Sequence, residues 1–182
     1  MKKILFLDID GVLNTVDDMR VRQLLYVSEN KNVDRINDDY GQLFDERCVR
    51  WLDYIIQKTG CEIVISSTWR MRGLKFMINL WNGRNLPGQI IDITPFEVDS
   101  KLIDSYNDNT DTYNDFADRG YEIQEWININ KPYRYCIIDD DNDMLKHQNF
   151  VRINSEFGIT YDNAIEIISI LNSNKYEQIE NL

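Results

Sequence analysis

Three short segments of this chain place acids, hydroxyls and a guanidinium directly after apolar runs. Asp8 and Asp10 follow Ile4-Leu5-Phe6-Leu7 and precede Gly11. Ser66, Ser67, Thr68 and Arg70 follow Glu62-Ile63-Val64-Ile65. Asp139, Asp140 and Asp143 follow Tyr135-Cys136-Ile137-Ile138. Carboxylates crowded together repel one another, and burial would raise their pKa values. A hard cation resolves that conflict. Mg²⁺ takes oxygen ligands in octahedral geometry, commonly one or two protein carboxylates, several waters and a phosphate oxygen. If the segments meet, they point to Mg²⁺ and a phosphorylated substrate. Taken singly, each has a plainer explanation: an Asp-Gly turn, a helix cap, a solvated acidic loop. Their coincidence at three strand ends favours a shared site.

The elements that would position these residues can be read from periodicity. Ile4 to Leu7 are apolar on both faces, as in a central parallel strand. Such a strand delivers its next residue to the carboxyl edge of the sheet, where ligands of open α/β folds bind. Alternate side chains of an extended chain share a face, so Asp8 and Asp10 could turn to one pocket. Gly11 lets the chain leave the sheet sharply. Asp45 caps a helix with Cys48, Val49, Leu52, Ile55 and Ile56 as its stripe, ended by Gly60. After the strand at Glu62 comes a helix marked by Leu74, Met77, Ile78 and Trp81, then a strand from Ile90 to Thr94, stopped by Pro95. Arg119-Gly120 opens a helix with Ile123, Trp126 and Ile127 on one face. A short strand from Phe150 to Ile153 precedes a last helix, opened by Thr160, with Ala164, Ile165, Ile168 and Leu171. The tail from Asn172 is expected to fray.

Five apolar strands alternating with helices predict an α/β fold: an open parallel five-stranded sheet with helices on both faces and right-handed crossovers. A chain of 182 residues is most simply one domain, 1–182. Two segments break the pattern. Residues 14–44 are polar, with an apolar patch at Leu24, Leu25 and Val27, and read as a partly helical flap or small cap. Residues 97–118 are rich in Asp and Asn. The favoured reading is a solvated, partly mobile insertion, and the functional one is a lid over the pocket.

A formal charge of −11 argues against strong general binding of nucleic acid or an anionic membrane, without excluding a local basic pocket. Cys48, Cys61 and Cys136 form no Cys-x-x-Cys pair, which suggests a reducing, cytoplasmic compartment. The apolar run at the N-terminus is too short for a signal peptide, and no span reaches membrane length. His147 is the sole histidine, so chemistry needing a His pair is excluded. Nothing in the pattern fixes an oligomeric state.

Asp8-Ile9-Asp10-Gly11-Val12 resembles the first motif of the haloacid dehalogenase (HAD) superfamily of phosphohydrolases. Ser66-Ser67-Thr68 resembles the second, Arg119 the basic third, and Asp139-Asp140 with Asp143 the acidic fourth. The wider pattern is Phe-Leu-Asp-x-Asp-Gly-Val-Leu-Asn, Ile-Ser-Ser-Thr-Trp-Arg, Arg-Gly-x-Glu-Ile-x-x-Trp and Asp-Asp-Asp-x-Asp-Met. It is similar to a group of small HAD proteins, some of them associated with RNA repair. The resemblance implies a HAD-like Rossmannoid fold and a Mg²⁺-dependent phosphatase. Asp8 would be the nucleophile and Asp10 the general acid and base, its backbone carbonyl also on Mg²⁺. Ser67 or Ser66 would hold a phosphoryl oxygen, since strand parity does not choose between them. Arg119 would balance charge, with Lys101 the alternative. Asp139 would ligate Mg²⁺, with Asp140 and Asp143 direct or through water. Thr68 and Arg70 would contact the substrate. An acid at position 10 suits a phosphatase; a dehalogenase needs none there. The implied partner is a phosphorylated small molecule, a nucleotide or a nucleic-acid end. The rivals are a receiver-like phospho-Asp signalling domain, disfavoured because the third strand ends in Thr94-Pro95, and a catalytically inactive binding protein on the same scaffold.

Overall fold

A computed structural model describes residues 2–28, 37–98, 102 and 118–173. Its centre is a five-stranded parallel sheet: β1 (Lys3–Leu7), β4 (Glu62–Ile65), β5 (Ile90–Ile93), β6 (Arg134–Asp139) and β7 (Phe150–Arg152). The order is β5-β4-β1-β6-β7, so β1 is central. Leu7 pairs with Ile65 on one side and Ile138 on the other. That register puts Asp8, Ser66 and Asp139 level at one edge, as the sequence led us to expect. The order of the strands also brings together acids more than 130 positions apart.

The sheet is covered on both faces. Leu5, Leu7, Ile63, Ile65, Cys136 and Ile138 share one core with α2 (Glu46–Thr59), α3 (Leu74–Gly83) and α5 (Tyr161–Asn172). Ile4, Phe6, Val64 and Ile137 point the other way, against Ile123 and Trp126 of α4 (Asp118–Asn130). Alternation along strands that are buried on both sides explains their unbroken apolar sequences. Phe6 meets the Trp126 ring edge-on at 5.3 Å. Helix ends follow local chemistry. Asp45 accepts from the Arg47 N–H, Gly60 closes α2 at φ +63°, and Thr160 forms a capping box with Asn163.

Some expectations need correction. The buried stripe of α5 is Ala164, Ile167 and Leu171, while Ile165 is 41% exposed. Four isoleucines in that helix make two neighbouring stripes equally apolar, and packing against α2 selects one. The polar region 14–44 contains α1 (Val16–Ser28) and a two-residue-per-strand hairpin, β2 (Asn37–Asp38) and β3 (Gly41–Gln42), which periodicity did not reveal. Residues 29–36, most of the proposed lid at 97–118, Lys101 and the tail beyond 173 lie outside the described residues.

Candidate active site

The carboxyl edge of the sheet opens into a cleft of about 570 Å³. Its walls include Asp8, Asp10, Gly11, Thr68, Arg119, Asp139 and Asp140, with Val16 and Met19 of α1 and Ser155 opposite. β1 delivers Asp8 and β6 delivers Asp139. Both are buried, at 7% and 2% exposure. Gly11 turns the chain at φ +74°, and a Cβ there would lie 2.4 Å from the Asp140 carboxyl carbon. Glycine is therefore required twice over, by conformation and by the close approach of Asp140.

Among the described residues, Asp8, Asp139 and Asp140 form the group whose carboxylate oxygens all lie within 4.8 Å of one another. Burial pushes Asp8 up to about 7, against the opposing pull of Arg119 and hydrogen bonds from the Ser67 hydroxyl and the Ile9 N–H. Burial, reinforced by the Asp8 charge, pushes Asp139 up to about 8. Asp140 and Asp143 are also raised, chiefly by burial. Asp139 Oδ1 accepts from the Asp141 N–H at 3.0 Å, while its buried Oδ2 has no hydrogen-bond partner among the described residues. A carboxylate oxygen left in this state is costly unless something positive meets it. Three carboxylates without thiol or imidazole suit a hard divalent cation. Asp143 sits beside Arg119, outside the trio, and its buried Oδ1 has no hydrogen-bond partner among the described residues.

Arg119 stands at the start of α4. Its Nη1 donates to the Ser66 carbonyl and lies 4.0 Å from Asp8 Oδ1, and its Nε lies 4.0 Å from Asp139 Oδ2. One guanidinium thus bridges the acids of two strands. Gln148 holds that helix end in place: it donates to the Gly120 carbonyl at 2.8 Å and accepts from the Leu145 N–H at 2.9 Å.

The two serines differ. Ser67 reaches Asp8 and accepts from the Trp69 N–H, capping the 3₁₀ turn Thr68–Arg72. The Ser66 hydroxyl is buried and has no hydrogen-bond partner among the described residues. Thr68 is exposed on the cleft wall. Arg70 is not among the residues that line the cleft. It is buried, ion-paired with Glu122 at 2.6 Å, and donates to the Ser67 carbonyl at 2.9 Å. Arg70 and Arg119 therefore secure two consecutive carbonyls of the serine loop to α4.

Asp10 is exposed and held from both sides. Trp69 Nε1 donates to its Oδ2 at 2.9 Å and Asn14 Nδ2 to its Oδ1 at 3.1 Å. Sequence reasoning missed both donors. The four-residue spacing of Asn14 from Asp10 was a usable signal; nothing in the sequence linked Trp69 to an acid 59 positions away.

Residues 4–164 match the model of the HAD domain in Swiss Army Knife RNA repair proteins. The chain belongs to this family. It is a HAD-type phosphohydrolase domain, and the match runs from β1 into the first turn of α5. No curated protein and no solved structure matches it. Among the described residues of this HAD domain, no helix is long and apolar enough to cross a membrane.

Proposed function

We propose that this HAD domain is a Mg²⁺-dependent phosphomonoesterase that works through an aspartyl-phosphate and acts on a phosphorylated nucleic-acid end. The observation that carries the reading is the convergence of Asp8, Asp139 and Asp140, with Arg119 reaching across to two of them. Asp8, Asp139 and Asp140 are the residues that would hold the cation. When bound, it would keep these carboxyls ionised and draw charge from a phosphoryl oxygen. An Asp8 oxygen attacks phosphorus as the ester P–O bond breaks, and Asp10 gives its proton to the leaving alkoxide. Asp10 then takes a proton from water. That water attacks phosphorus, the bond to Asp8 breaks, and inorganic phosphate leaves with both aspartates restored. Ser67 and Arg119 orient and neutralise the transferring group, so catalysis rests mainly on placement and charge. The terminal phosphate of a nucleic acid is favoured by the family's description.

The test is hydrolysis of an aryl phosphate with and without Mg²⁺ by the wild type, Asp8→Asn and Asp10→Asn. Loss in both variants and dependence on the metal are expected. Equal rates in all three proteins would end the proposal.

A further inference from the structure

Beside the catalytic cleft lies a second depression of about 410 Å³, lined by Asp140, Arg152, Ile153, Asn154 and Ser155. The two share Asp140 and Ser155, so they adjoin. Arg152 leaves the end of β7 and is exposed. Its Nε donates to the Asp140 backbone carbonyl at 3.1 Å, which fixes the direction of the guanidinium. Other arginines around the cleft are paired with acids: Arg20 with Glu156, Arg70 with Glu122, Arg119 with Asp8 and Asp139. Among the described residues Arg152 makes no ion pair within 4 Å of a carboxylate, although its charge draws on the Asp140 carboxyl nearby. In a chain of formal charge −11, an oriented guanidinium thus stands at the rim of the acidic cleft. Guanidinium groups suit phosphate oxygens because their N–H donors form a planar fork. Nearby Asn154 and Ser155 add short polar groups to the same wall.

We propose that this depression is a subsite for the phosphodiester next to the scissile terminal phosphate of a nucleic-acid strand, with Arg152 as its counter-charge. The inference rests on the phosphatase reading above and adds a recognition element to it. One such contact raises selectivity for strands over mononucleotides without the broad basic face that the net charge argues against.

The test compares kcat/KM, with Mg²⁺ present, for a nucleoside 3′-monophosphate, a dinucleotide 3′-phosphate, and the same dinucleotide with a neutral methylphosphonate linkage. The series is repeated for 5′-phosphates. For the preferred end, the dinucleotide is expected to exceed the mononucleotide by about 10-fold, as a charge-assisted contact would give. The methylphosphonate should lose most of that gain. In Arg152→Gln the ratio of dinucleotide to mononucleotide should fall to about one, and Arg152→Lys should keep part of it. A ratio is the right readout because any disturbance of Asp140 through the lost Nε bond acts on both substrates alike.

If all nucleotides are hydrolysed with equal kcat/KM, the subsite is refuted while the phosphatase reading stands. Turnover of an aryl phosphate but of no nucleotide refutes the nucleic-acid substrate and the subsite together. A gain for a sugar bisphosphate over its monophosphate, with none for dinucleotides, rejects a strand as the occupant. Equal losses on both substrates in Arg152→Gln, with the ratio intact, would make Arg152 a mere support for Asp140.

Discussion

Two walls of the cleft are built on different principles. On the sheet side, Asp8 and Asp139 end strands whose residues Ile4–Leu7 and Cys136–Ile138 are fully buried. On the other side, α1 buries none of its residues, and Leu24 and Val27 are 71% and 70% exposed. α1 is fastened by polar contacts over its first two turns, with Arg20 reaching Glu156 and Arg22 the Phe44 carbonyl. Val16 and Asp17 donate backbone N–H groups to Ser155 and Glu156, and Thr15 donates to Asp45 at 3.0 Å. The core fixes the sheet edge so firmly that it can hold acids in an unfavourable state. α1 is held locally and has little packing to resist change. Electrostatic cost is therefore concentrated where the backbone cannot relax to relieve it.

The largest effect should come from Asp8→Asn. Losing the nucleophile should lower kcat by about 10³-fold or more. The same change removes one charge from the crowded trio, so the metal-free variant should melt above the wild type at pH 8. A lower melting temperature would mean that the Arg119 contact outweighs the repulsion and burial acting on Asp8.

A pH series sharpens the same contrast. Asp8 and Asp139 are raised from 3.8 to about 7 and about 8, so the folded protein binds their protons more tightly than the unfolded chain. Both states are protonated below about pH 4, and no penalty arises there. From there the unfolded chain ionises first, and metal-free stability should fall until the pH passes about 8. Mg²⁺ requires the ionised carboxylates, so its stabilising shift in melting temperature should be large at pH 8 and small at pH 5. A Mg²⁺ shift that is the same at both values would remove the cation from this trio.

The contrast also separates what could be read in the sequence from what could not. The strands were legible because each is a short apolar run ended by polar residues, and a shared edge for Asp8, Ser66 and Asp139 follows from parallel pairing; the register that levels them is supplied by the fold. Asp45, Gly60 and Thr160 were legible because capping is local. Arg70 was not. Its direction depends on Glu122 of α4, a neighbour that only the fold supplies. The choice between Ser66 and Ser67 was open for a similar reason, since the loop turns immediately after the strand and breaks its alternation. The hairpin at 37–42 has too few residues to show any period; it is held by Arg84, whose Nε and Nη2 clasp Asp38 at 2.8 and 2.7 Å.

Trp69→Phe tests a smaller, directional effect on the sheet side. The ring is anchored edge-on against Phe44 at 5.7 Å, which phenylalanine can largely preserve, but the N–H to Asp10 is lost. If Asp10 protonates the leaving group, its misplacement matters most when that group is a poor one. The variant should lose about 10-fold in kcat/KM, which reports the transfer to Asp8, on an alkyl phosphate and little on a dinitrophenyl phosphate. Equal losses on both would make Trp69 a packing residue only.

The smallest effect belongs to the opposite wall. Leu24→Ser changes an exposed side chain on a helix with no buried residue, so unfolding stability should move by no more than about 0.5 kcal/mol. Leu52→Ala, at a fully buried position of α2 in the same core as β1, should cost about 2–5 kcal/mol. Urea titration of both variants measures the difference directly. A loss above about 1 kcal/mol for Leu24→Ser would show that α1 is packed in solution and that the two walls are less unlike than their exposure implies.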